Sequence, residues 1–258
     1  MGSGDIVLAK YDPSGNYVWG KRLGTPQHER VDQLAIDSSG NVIIAGTFQG
    51  TLNLGGSALV SAGVNDIFVA KFDSTGAHLW SRRFGGDQSD DARMMQLDAS
   101  DNIYLAGAYS GAPNFGGGPL PELSWGIYVA KLGPTGLHQW SEGMGSNDPA
   151  GVISGARDAG TGEITLAVTF QGTLDLGGCV MEASPKQATI ALARLDGNGG
   201  HLWSRRYVGP NEAALAADGA GSFFLSGSYY DSMNFGLGPL TSIGGGDIFI
   251  ARICGAGC

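Results

Sequence analysis

Helical periodicity is missing from this 258-residue chain. No stretch holds apolar residues at a 3.6-residue spacing over three turns, so almost no α-helix is expected. Charge is scarce, at 15% of residues against roughly 25% in an average domain. It leans acidic, with 15 Lys and Arg against 24 Asp and Glu and a net charge of −9. Nucleic-acid affinity rests on clustered Lys and Arg, so no nucleic-acid partner is expected. No apolar run nears the roughly 18–20 residues that cross a bilayer, so no membrane span is expected. Cysteines number three. Cys179 stands alone and Cys254 and Cys258 sit near the end, too sparse for a disulfide framework and without zinc-site spacing. A Cys254–Cys258 bridge stays open. No Gly-x-Ser-x-Gly, His-Glu-x-x-His, P-loop or Cys-x-x-Cys pattern occurs, so no catalytic residue, metal site or cofactor is assigned. Residues 1–4, Met-Gly-Ser-Gly, read as a cloning remnant rather than a leader.

Glycine is what the chain has in excess: 45 residues, where an average chain of this length would hold about 18. Each Gly inside a helix costs about 0.8–1.0 kcal/mol relative to Ala, which again argues against helices. There is no collagen period, and a 42% hydrophobic content with 5 Trp, 8 Tyr and 10 Phe is too apolar for a disordered chain. Short β-strands joined by many turns remain.

Those strands repeat. Asp5–Lys10, Asp66–Lys71, Gly126–Lys131, Thr189–Arg194 and Asp247–Arg252 are copies of one segment, about 60 residues apart. Trp19, Trp80, Trp140 and Trp203 keep the same rhythm, and so do Gly46–Gly50, Gly107–Gly111, Val168–Gly172 and Gly227–Tyr229. Each unit reads as four strands of β-branched and aromatic residues bounded by turn clusters. Asp12–Gly15, Asp37–Gly40, Asp73–Gly76, Asp196–Gly199 and Asp218–Gly221 supply turns in which Asp caps the backbone and Gly takes positive φ. Asp101 replaces that Gly in one turn, and Gly133 replaces the Asp in another.

Units of this kind cannot bury both faces alone, which favours an all-β fold with four-stranded antiparallel blades packed as a β-propeller; a β-solenoid and a β-sandwich are the alternatives. Complete units fall at about 31–86, 92–145 and 152–209 of one domain spanning 5–253. Residues 211–253 add three strands and 5–24 add two, seventeen in all and one more than four blades need. A four-bladed ring closed by the N- and C-terminal strands is expected. The spare third-strand sequence, at 5–10 or 247–252, then lies beside the ring, competes for one place, or drives self-association with a neighbouring chain. The runs 66–85 and 37–46 resemble the bacterial SBBP (beta-propeller) repeat family. That resemblance implies a propeller, implies a secreted or cell-surface protein, and brings no catalytic residues.

Most conspicuous side chains fall into the repeat. His78, His138 and His201 share one position in successive units and so read as structural rather than as a metal triad. The periodic tryptophans read as packing between blades, and the pairs Lys21-Arg22, Arg82-Arg83 and Arg205-Arg206 as protection of outer strands. Two features break the pattern and supply the ligand-binding candidates. Trp125 stands where other units carry Asn65 or Gly246, after an irregular Pro-bearing loop. Asp87, Asp90 and Asp91 form an acidic run that lacks the spacing of a calcium loop and reads as solvated. The expected function is a non-enzymatic binding or scaffold module with a protein or glycan partner. A lectin-like or enzymatic propeller with a site at a channel mouth is the alternative.

Overall fold

A computed structural model describes residues 4–210, 212–236 and 238–254. Among these residues there is no helix, and seventeen strands of four residues or more account for the repeat. Strands β1 (Ile6–Tyr11) and β2 (Tyr17–Leu23) form an antiparallel hairpin. The first complete repeat is a sheet in the order β3 (Glu29–Ile36), β4 (Val42–Phe48), β5 (Asp66–Phe72), β6 (His78–Phe84). The second runs β7 (Met94–Leu97), β8 (Ile103–Gly111), β9 (Leu123–Leu132), β10 (His138–Ser146). The third runs β11 (Ala150–Arg157), β12 (Ile164–Phe170), β13 (Thr189–Leu195), β14 (His201–Val208). A three-stranded sheet closes the series: β15 (Ala214–Ala217), β16 (Ser222–Tyr229), β17 (Asp247–Cys254). Cys254 is a free thiol, and Cys258 lies outside the described residues.

Two compact units divide the chain. Residues 4–105, 109–122 and 130–139 form one, and residues 106–108, 123–129 and 140–254 form the other. In the first unit β4 and β5 are buried along their whole length, and β13 is in the second. A strand covered on both faces has no reason to alternate, which is why the sequence shows continuous apolar runs at these places. The first unit's core joins Ile6 and Leu8 of the hairpin to Val42, Ile44, Phe68, Ala70 and Phe72. The second unit's core joins Ala167, Ile190, Leu192 and Trp203 to Phe223, Leu225 and Phe249.

The turns are built as their sequences require. Asp37 Oδ1 accepts from the amides of Ser39 (2.9 Å) and Asn41 (2.8 Å), and Asp73, Asp98 and Asp218 repeat the pattern. Gly40 then sits at φ 76°, and Asp101, in the corresponding place one repeat later, at φ 59°. Asp101 is held there by Ser38, whose amide and hydroxyl donate to its carboxylate at 2.9 and 2.6 Å. In three repeats a cation from the third strand reaches the Asp of the first turn. Lys71 meets Asp37 at 2.6 Å, Arg252 meets Asp218 at 2.9 Å, and Lys131 lies 3.6 Å from Asp98.

Histidines and tryptophans have repeated seats. Each imidazole lies on a Gly-Gly pair of its own repeat: His78 on Gly55-Gly56, His138 on Gly116-Gly117, His201 on Gly177-Gly178. In the last repeat Leu237 takes the place of the second Gly. Each tryptophan packs on the Gly of the next repeat's turn. A Cβ at Gly76 would lie 3.2 Å from Trp19, one at Gly136 2.7 Å from Trp80, and one at Gly199 2.8 Å from Trp140. Trp203 stacks on Phe223 (centroids 6.0 Å, 23° between planes), and the equivalent glycine, Gly257, lies outside the described residues.

Candidate functional site

The acidic run 87–91 does not converge on one point. Asp87 is exposed, and Asp91 turns aside to Arg93 at 2.9 Å. Asp90 overturns the expectation of a solvated loop, being only 2% exposed. The reason is backbone pairing, which pulls the loop inward. The Asp90 amide donates to Asn65 O (2.9 Å), Val64 N to Gln88 O (3.0 Å) and Ser110 N to Ser89 O (2.9 Å).

Asp90 lands beside a carboxylate that the sequence did not single out, Asp66 at the start of β5, which is fully buried. Asp66 Oδ2 accepts from Ala62 N (2.5 Å) and Arg83 (3.0 Å), while Asp90 Oδ2 accepts from Gly86 N (2.9 Å). Oδ1 of each has no hydrogen-bond partner among the described residues. Both groups close over Gly85, where an added Cβ would lie 2.6 Å from Asp90 Oδ2 and closer to Asp66 Oδ1. Burial, with the charges of Asp66 and Asp91, pushes the Asp90 carboxyl up to about 7 against the pull of Gly86 N and Arg83. Burial and Asp90 likewise push the Tyr109 hydroxyl up to about 12. The Asp90 carboxyl, so placed, keeps its proton to higher pH than an exposed one. Asp66 and Asp90 are sealed from solvent, so they hold a loop rather than reach a substrate.

The pair recurs and vanishes as a unit. Near the N-terminus, Asp5, Arg22 and Glu29 stand in the places of Asp66, Arg83 and Asp90, with Arg22 Nε on Asp5 at 2.9 Å and Thr25 N on Glu29 at 3.1 Å. The next two repeats carry Gly126 with Ala150, and Thr189 with Pro210. In these four places the two acids are kept or lost together, and that co-occurrence was the signal available in the sequence; Asp247, at the start of β17, repeats Asp66 by itself among the described residues.

Grooves recur as well. In the first unit a cavity of about 640 Å³ is lined by Arg82, Arg83, Phe84, Asn114 and Phe115. In the second unit one of about 430 Å³ is lined by the matching Arg205, Arg206, Tyr207, Asn234 and Phe235. β6 and β14 are edge strands, so the arginines guard free edges as expected and also furnish each groove with donors. Arg82 Nε donates to Thr135 O at 3.0 Å, and the Arg205 guanidinium lies 5.9 Å from the Trp203 ring. The second complete repeat has Glu142 and Gly143 on β10, with Asp175 of the following repeat, at the matching places.

Trp125 lies on β9 and is 48% exposed, with its carbonyl against Gly145 and the neighbouring Ser124 amide donating to Asn147 Oδ1 at 3.1 Å. No group of three His, Cys, Asp or Glu among the described residues is placed to hold a metal ion.

The chain matches no protein-family model. It is 25% identical to the regulatory protein FlaEY of Caulobacter vibrioides over 98% of this chain and 29% of that protein. It is also 25% identical, over 48% of this chain, to an uncharacterized WD repeat-containing protein of Acanthamoeba polyphaga mimivirus, covering 11% of its length. The chain therefore spans under a third of either relative, and neither is named as an enzyme.

Proposed function

We propose that this chain is a non-enzymatic β-repeat module that binds other proteins and acts as a scaffold within a larger regulatory polypeptide. The recurring groove carries the reading. One feature, an arginine pair beside an amide and an aromatic ring, is built twice on free edge strands, the form in which extended acidic segments are captured. Relatives with regulatory and WD-repeat names support it. The finer reading is a β-propeller of the SBBP type, with residues 211–253 and 5–24 sharing a composite blade and the protein exported or surface-associated. The repeat itself and the motif resemblance support it.

The test is calorimetric titration of acidic peptides chosen from a random library on the immobilised protein. Arg82→Glu and Arg205→Glu should each weaken binding at least about tenfold, or about 1.4 kcal/mol. Half-exposed Trp125 favours a second, lectin-like reading. Glycan-array binding lost in Trp125→Ala, with no peptide bound, would replace the first reading with this one.

A further inference from the structure

One joint design links successive repeats, and both of its halves are visible. Ile190 and Leu192 of β13, with Ala167 and Trp203, pack against Phe223, Leu225 and Phe249 of the following sheet. The positions equivalent to Ile190 and Leu192 are Ile6 and Leu8, Ile67 and Val69, Ile127 and Val129, and Ile248 and Ile250. Those equivalent to Phe249, on the opposite face of the same strand, are Val7, Phe68, Tyr128 and Ala191. In β5, β9 and β13 both sets are buried.

Each set has one open end. Ile248 is 84% exposed and Ile250 76%, and Phe224 joins them, because Phe224 pairs with Arg252 and Ser226 with Ile250 across the same face of β16–β17. Val7 is 73% exposed, with Tyr11 beyond it on the same face of β1. The hairpin's other face, Ile6 and Leu8, is already used against β4 and β5. What stands free at one end is therefore the isoleucine half of the joint, and at the other end the half that covers it.

We propose that the exposed β15–β17 face of one molecule receives the Val7 face of the β1–β2 hairpin of a second copy. The occupant follows from the joint in the second unit, where the residue equivalent to Val7 covers the residues equivalent to Ile248 and Ile250. The contact joins unlike faces, so it is heterologous, and each copy keeps a free end for the next. This inference is independent of the grooves, which lie on other residues, and it is the alternative to the composite blade of residues 211–253 and 5–24 within one chain.

Sedimentation velocity over a wide concentration range tests it with Val7→Lys and Ile250→Lys, both at exposed positions where an unchanged melting temperature confirms folding. The native chain should grow in mass with concentration, and each variant alone should associate at least about tenfold more weakly. An equimolar mixture should form dimers and nothing larger, because each variant retains the half that the other lacks. A native chain that stays monomeric, a single variant that still assembles, or a mixture with no dimer would overturn the proposal. Protection of Ile248 and Ile250 in a monomer would place the covering hairpin within the same chain, and would overturn it equally.

Discussion

Replacing Gly56 by Ala isolates the seat of a repeated histidine. The position has no positive φ, so Ala is allowed by the backbone. The added methyl would lie 3.0 Å from Nδ1 and 3.2 Å from Nε2 of His78, with Cε1 nearer still. The ring is not free to yield, since Phe72 meets it edge-on at 5.8 Å. Forcing a methyl into such a seat costs about 1–3 kcal/mol, while losing Gly from the unfolded chain returns about 0.4–1 kcal/mol. A net loss of about 0.5–2 kcal/mol is expected in the native background. With His78→Ala the obstacle is gone and only the unfolded-state gain remains, so Gly56→Ala should then stabilise by about 0.4–1 kcal/mol. Urea denaturation of the four proteins closes the cycle, and the sign reversal is the diagnostic. A Gly56→Ala effect equal in both backgrounds would show that the Gly-Gly pairs do not exist to seat the imidazoles.

Asp90→Asn should flatten the pH dependence of stability. With its folded pKa raised to about 7, Asp90 contributes stability fully below the unfolded value of 3.8 and loses it as pH rises through 7. The native chain should therefore fall relative to the variant between pH 4 and 7, by up to about 1.4 kcal/mol per pH unit; parallel melting curves would refute the buried pair. Lys71→Ala should cost about 3 kcal/mol at neutral pH by leaving buried Asp37 without its counter-charge. Burial alone would raise Asp37, but Lys71 and Asn41 outweigh it and hold the carboxyl at about 2. Stability from the pair is present above pH 3.8 and lost as pH falls through 2, so acid titration should erase the variant's deficit in that window. Asp101→Ala should cost about 1–2 kcal/mol, through left-handed strain and two lost hydrogen bonds, and Asp101→Gly less than half of that in chemical denaturation.

The repeat was readable because its markers are local. Asp37 and Gly40 make their turn within four residues, and the continuous apolar runs of β4 and β5 mark strands covered on both faces. Periodicity also ranked the histidines and tryptophans correctly as parts of the fold, although it could not say that glycines were their seats. Asp90 was misread because its burial depends on Asp66, 24 positions earlier, and on backbone bonds from Asn65 and Gln88 that no local pattern encodes. Comparing repeats would have found the pair, since the next two repeats lose both acids together. The grooves were half visible, as arginine pairs without the loop residues Asn114 and Asn234 that face them.

If Val7 and Ile250 are two halves of one joint, cysteines placed at them will find each other between molecules. Oxidation of a mixture of Val7→Cys and Ile250→Cys chains, in a background with Cys179, Cys254 and Cys258 changed to Ser, should give a disulfide-linked heterodimer of twice the chain mass. A linkage formed within single chains that carry both substitutions, or none in either arrangement, would contradict it.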